Sequence, residues 1–273
     1  MKINFHKRIG FMQGRLSPMH NKKIQSFPWK NWKTELSLCK KINLFRIEWT
    51  LDYPNLVRNP LILDPKGTYR ILKKFKINMN SVTCDFFMQK PFFKKNYASE
   101  KLVIERIIKK LKKKKIILVI PLVDNSSIKN KKQENKIINF FNFIYEKHLK
   151  RSNLIICFES DYAPNKLKEF ISKFPRDKFG INFDTGNSAS LGHDCENELK
   201  ILKKRIYNVH IKDRKFKGKT IKLGEGDFDF NLFFKIIKII NYKGNFVLQT
   251  ARSKSGRHIN ELNKNLNFIK NVI

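Results

Sequence analysis

The chain has 273 residues, 41% of them hydrophobic, which is enough for one large core and allows either one α/β barrel or two smaller domains. Its formal net charge of +35 would ordinarily point to nucleic acid or an anionic membrane. However, lysine outnumbers arginine about four to one and is spread along the whole chain with abundant Asn and Ile, the pattern of a nucleotide bias filling tolerant surface positions, so a nucleic-acid partner is disfavoured.

The longest apolar runs, such as IILVI before Pro121, are far too short to span a bilayer, and MKINFHKRIGFM lacks the apolar stretch of a signal peptide, so a cytoplasmic protein without a membrane partner is expected. Cys39, Cys84, Cys157 and Cys195 are scattered with no CxxC pair, which indicates neither a zinc knuckle nor a disulfide framework.

Taken in order, Ile9 to Gln13 reads as a short strand ending in the turn GRLSP, with Arg15 at its mouth. WKNWKTELSLCKKIN places Trp32, Leu36, Cys39 and Ile42 on one helical face, and LFRIEWT follows as a strand with Glu48 near its end. Asp64 and Pro65 look like an N-cap and first helical residue, continued by TYRILKKFK. INMNSVTCDFF is a strand with Asp85 after its apolar part, EKLVIERIIKKLKKKK a helix whose lysines suit its C-terminal dipole, and IILVIPLVD a strand ending at Asp124.

KKQENKIINFFNFIYEKHL is the next helix, NLIICFE a strand, and Pro164 opens the helix NKLKEFISKF. FGINFD is a strand, ENELKILKKR a helix, YNVHIKD a strand, FNLFFKIIKII a helix capped at Asp229, NFVLQT the last strand and HINELNKNLNFIKNVI the closing helix. Eight strands alternating with eight helices force parallel strands with helical crossovers, so the prediction is a single (β/α)8 TIM barrel over 1–273. An open doubly wound sheet is the runner-up, but no GxGxxG turn follows the first strand.

In a barrel the strand ends converge on one mouth, here bringing together Arg15, Glu48, Asp85, Asp124, Glu159, Asp184, His210 and Gln249. So many buried acids repel one another unless a cation neutralises them. Glu159, Asp184, His210 and Gln249 offer three oxygens and one nitrogen without thiolate, a set suited to one divalent ion such as Mn, Mg or Co. Arg15, Arg214 and Arg252 are able to hold a phosphate bidentately, or equally to pair with mouth carboxylates. Glu48, Asp85 and Asp124 divide evenly between site and scaffold, and His6, His20, His148, His193 and His258 carry no metal-ligand spacing.

From GFMQGRLSP to LQTARS the chain resembles the xylose isomerase-like barrel superfamily, and within it the sugar phosphate isomerases/epimerases. In that family Glu, Asp, His and Glu from strands five to eight hold the metal. Glu159, Asp184 and His210 match the first three, and Gln249 departs at the fourth. The resemblance also implies substrate contacts for Asn187, Asp213 and Arg214.

A metal that chelates a carbonyl and its neighbouring hydroxyl eases enediolate formation, with Glu159 as general base. An amide at 249 cannot exchange a proton, so the expectation is an aldose–ketose isomerase rather than a ketose 3-epimerase, acting on a small-molecule sugar or sugar phosphate, with a homo-oligomer left open. Two alternatives are an abasic-site endonuclease-like repair enzyme, which would bring more histidines to the mouth, and a catalytically inactive sugar-binding barrel.

Overall fold

The computed structural model describes residues 5–19, 23–253 and 256–273; His20 and the side chain of His6 lie outside them. Eight strands, β1 (Ile9–Met12), β2 (Arg46–Thr50), β3 (Asn78–Thr83), β4 (Ile117–Leu122), β5 (Ile155–Ser160), β6 (Phe179–Asp184), β7 (Ile206–Ile211) and β8 (Asn245–Leu248), close into a barrel in the order β1-β8-β7-β6-β5-β4-β3-β2. Every neighbouring pair is parallel. The crossover helices are α1 (Trp32–Lys41), α2 (Pro65–Lys74), α3 (Glu100–Leu111), α4 (Lys131–Ile144), α5 (Pro164–Ser172), α6 (Cys195–Leu202), α7 (Phe230–Ile239) and α8 (His258–Val272). This is the expected (β/α)8 barrel.

Local chemistry explains the element ends. The Asp64 side chain accepts from Gly67 N with Pro65 at the first helical position, and Asp229 accepts from Leu232 N, so two of the anticipated caps close orphan amides at the starts of α2 and α7. In α3, Ile104, Ile107, Ile108 and Leu111 form one buried stripe at helical spacing, while Lys113 to Lys115 lie exposed beyond its end. Along β5 the pleat sends Phe158 outward, where it meets the rings of Phe141 and Phe174 with centroids 5.1 Å away in each case, and sends Glu159 into the barrel.

Two short helices were not legible as such. Asp85–Gln89 follows β3 directly and turns Phe86 and Phe87 into the core. Thr185–Leu191, made mostly of small polar residues, is started by Asp184, whose carboxylate accepts from Asn187 N at 2.8 Å, and is stopped by Gly192 at φ 69°. All four cysteines are free and buried, as their apolar surroundings imply.

Candidate metal centre at the barrel mouth

Strands β5, β6, β7 and β8 are consecutive neighbours in the barrel, and each ends in one of the expected ligands. Asp184 and His210 are directly opposite in the β6–β7 register. Val247 is opposite His210, so Gln249, two residues on, faces the same way one step nearer the mouth. Ligand atoms of Glu159, Asp184 and His210 all lie within 4.8 Å of one another and all three residues are buried.

A layer of polar side chains beneath the mouth holds this cluster. His210 Nε2 hydrogen-bonds Glu48 Oε1 at 2.7 Å, and its Nδ1 faces Glu159 Oε2 at 3.1 Å. Asn208 donates to Glu48 Oε2 at 3.1 Å and to Asn182 Oδ1 at 2.9 Å, while Asn182 donates to Glu159 Oε2 at 2.8 Å. Asn187 holds the other oxygen, Oε1, at 2.8 Å, and Lys212 Nζ sits 2.8 Å from Asp184 Oδ2. Asn182, Asn208 and Lys212 escaped the sequence reading. The signal was present in the spacing, since Asn182 and Asn208 stand two residues before Asp184 and His210 on the same face of their strands, and Lys212 stands two after His210, just past the end of β7.

These contacts set the charges. Burial alone would raise Glu159, but the hydrogen bond and charge of His210, with Lys212 and Asn182, outweigh it and hold the carboxyl down to about 2. Burial raises Asp184, and Lys212 pulls against it. For His210 burial disfavours the cation, yet the charges of Glu48 and Glu159 and their hydrogen bonds raise it to about 10. Without a metal the ring is therefore an imidazolium clamped between two carboxylates.

Gln249 Oε1 is a buried polar atom with no hydrogen-bond partner among the described residues, and Asp184 Oδ2 and His210 Nδ1 have ion-pair contacts alone, to Lys212 at 2.8 Å and Glu159 at 3.1 Å. Three such atoms on neighbouring strand ends fit a divalent ion held by oxygen and imidazole, and binding would release the His210 proton. Glu48 would then be the partner that fixes the ring's tautomer and orientation.

The remaining expected site residues divide. Arg214 Nη1 donates to Asn187 Oδ1 at 3.1 Å, placing both on the rim beside Glu159. Arg15 is buried, with Nε on Thr250 O at 2.9 Å, Nη2 on Gln25 and Nη1 without a partner among the described residues. Arg252 ties the loops after β1 and β8 together, donating to Ser17 O at 2.6 Å and Ile24 O at 3.3 Å. Asp213 is fully buried and accepts from the backbone N–H groups of Arg214, Gly224, Gly226 and Phe228. Asp124 is exposed on the rim.

Residues 103–272 match the model of a family described as "Xylose isomerase-like TIM barrel". The chain belongs to that family. Over 91 residues it is 30% identical to a candidate L-ribulose-5-phosphate 3-epimerase, SgbU, of Escherichia coli, a match covering 31% of this chain and 32% of that protein, so it spans about a third of that relative's length.

Among solved structures, D-allulose 3-epimerase from Methylomonas sp. is 13% identical with a TM-score of 0.76, over 97% of this chain and 98% of that one. A xylose isomerase-like TIM barrel protein from Mycobacterium smegmatis, in complex with magnesium, is 13% identical with a TM-score of 0.70, over 96% of this chain and 95% of that one. The expectation of an aldose–ketose isomerase is overturned, because the curated relative and the D-allulose enzyme are both 3-epimerases. The amide at 249 does not by itself set the reaction class, since other acids, Glu48, Asp85 and Asp213 among them, are buried at the strand ends. Among the described residues no helix is long and apolar enough to cross a membrane.

Proposed function

We propose that this chain is a divalent-metal-dependent epimerase of a ketose or ketose phosphate, in which Glu159 removes the proton from a carbon next to a carbonyl. The observation that carries the reading is the buried cluster of Glu159, Asp184 and His210 on three adjacent strand ends, with Gln249 on the fourth. The 3-epimerase activities named for the relatives supply the reaction class.

Glu159, Asp184, His210 and Gln249 would hold the ion, whose chemistry is to polarise the carbonyl and so acidify the neighbouring C–H. Hydrogen bonds from Asn182 and Asn187 aim the oxygens of Glu159 for proton removal. Asn187 and Arg214 on the rim meet substrate hydroxyls. Arg15, with one buried nitrogen unpartnered among the described residues, suits a phosphate or hydroxyl at the β1 side, with Arg252 bracing the loop beside it. Asp213 acts through the loop that it pins.

The test is NMR of D-allulose, L-ribulose and L-ribulose 5-phosphate incubated in D2O with protein and Mn, Mg or Co, against a chelator control. Metal-dependent inversion at C3 with solvent deuterium incorporated is expected. Glu159→Gln should lower turnover by at least about a hundredfold while metal binding stays measurable by calorimetry. Failure of the wild type to bind any of the three ions would sink the reading.

A further inference from the structure

Inversion of a carbon requires proton removal on one face and proton delivery on the other, and the amide of Gln249 can do neither. Most other acids at the mouth are committed. Both oxygens of Glu48 are bonded, to His210 and Asn208. Asp184 is one of the candidate ligands of the ion, Asp213 is held by four backbone amides, and Asp124 stands exposed on the rim.

Asp85 differs from these. It is 5% exposed, its Oδ1 accepts from Thr83 Oγ1 at 2.8 Å, and its Oδ2 is buried with no hydrogen-bond partner of good geometry among the described residues. It sits at the end of β3, separated from β5 by β4 alone, so the two strand axes are about 10 Å apart. The charges of Asp85 and Glu159 act on each other across the mouth. Asp52, which is also buried, follows β2 and is one strand further round from Glu159.

Resting on the epimerase reading above, we infer that Asp85 is the second proton-transfer group, the carboxyl that serves the face of the substrate carbon opposite Glu159 in place of the carboxylate missing at position 249. The groups facing Asp85 are Thr83 on its own strand, Gln25 and Arg15 from the loop after β1, Asp52 from the end of β2 and Glu159 across the mouth. Burial first, then the charges of Asp52 and Glu159, against the hydrogen bond of Thr83 and the nearby Gln25 amide, raise its carboxyl to about 7. At neutral pH it is therefore shared between donor and acceptor forms.

In one direction the Glu159 carboxylate takes the proton from the carbon as the C–H electron pair becomes the enediolate double bond. Asp85 then delivers its carboxyl proton to the opposite face, the double-bond pair forms the new C–H bond and the carbonyl re-forms. Glu159 is left protonated and Asp85 ionised, with total charge unchanged, and exchange with water resets both. In the other direction the roles reverse.

The experiment follows exchange and inversion separately, with Mn-loaded wild type, D85N and D85N/Q249E acting on the same three ketoses in D2O. D85N, which keeps the size of the side chain and its oxygen towards Thr83, should lose at least about a hundredfold in inversion yet still wash solvent deuterium into the unreacted epimer through Glu159. Q249E in that background should restore at least about tenfold, a rescue that a purely structural role would not show. Inversion by D85N within about threefold of wild type overturns the inference and leaves the epimerase reading standing. Joint loss of exchange and inversion without rescue also overturns it, since Asp85 would then serve the architecture. A wild type that neither exchanges nor inverts any of the three removes the epimerase reading and this inference with it.

Discussion

His210 is charged or neutral according to what lies on its two ring nitrogens, and in the metal-free protein both face carboxylates. The ring's proton affinity is raised well above that of a free imidazole, so the folded state binds more protons than the unfolded chain between about pH 6.5 and about 10. Its stabilising contribution is therefore complete below about 6.5 and is lost as pH rises through about 10. Glu48→Gln removes the largest charge responsible and leaves a buried imidazolium with one anionic partner fewer. Urea unfolding in chelator should show the variant less stable by about 3 kcal/mol at pH 7, with the gap to wild type narrowing towards pH 10. A gap that does not change with pH would mean that Glu48 acts by packing alone. Glu48 was visible in the sequence as a strand-end acid, but its choice between substrate and scaffold was not, because that depends on which side chain stands across the barrel.

At the scale of elements, the segment LGEGDFDF shows how a loop of unclear purpose becomes intelligible. Asp213, immediately past β7, gathers the amides of Gly224, Gly226 and Phe228 onto one buried carboxylate. Gly224 has φ +84°, and a Cβ at Gly226 would come within 1.9 Å of Asp213 Oδ1, so both glycines are required by the wrap. Asp213→Ala should cost about 1–3 kcal/mol in unfolding and speed hydrogen exchange at the Gly224 and Gly226 amides, with metal affinity held within a fewfold. Unchanged exchange at those two amides would show that the loop keeps its shape without the carboxylate. The long amphipathic helices and their caps were legible because periodicity and N-cap chemistry are local. Thr185–Leu191 was not, since its helix is started by Asp184, a candidate ligand at a strand end, and lacks a broad apolar stripe.

At the scale of the whole molecule, the charge of +35 is carried on a barrel whose mouth is rich in acids. A basic depression lined by Lys112, Lys113, Lys147, Lys150 and Arg151 lies where the chain enters β4 and β5, the opposite end of the barrel from Glu159. Surface lysines of this kind support phosphate contacts without a geometry for reading bases. Duplex DNA should accordingly bind weakly, with an affinity that falls steeply with salt and vanishes near physiological ionic strength in a mobility-shift titration. Tight or lesion-selective binding at that salt would show that the charge has a nucleic-acid role.

The sequence by itself determined the alternation of eight strands with eight helices, the buried strand character of the runs ending at Glu159, Asp184 and His210, and the resemblance that joined them to a metal. These follow from patterns that act within a few residues or repeat at a fixed interval. Only the tertiary structure decided which acids remain free to act. Barrel closure sets Glu48 under His210, turns Asp213 onto its own loop, hands Asp184 a lysine and leaves one oxygen of Asp85 unsatisfied among the described residues. Proton affinity and hydrogen-bond commitment are properties of neighbours far apart in the chain, 162 positions for Glu48 and His210, and no local pattern encodes them.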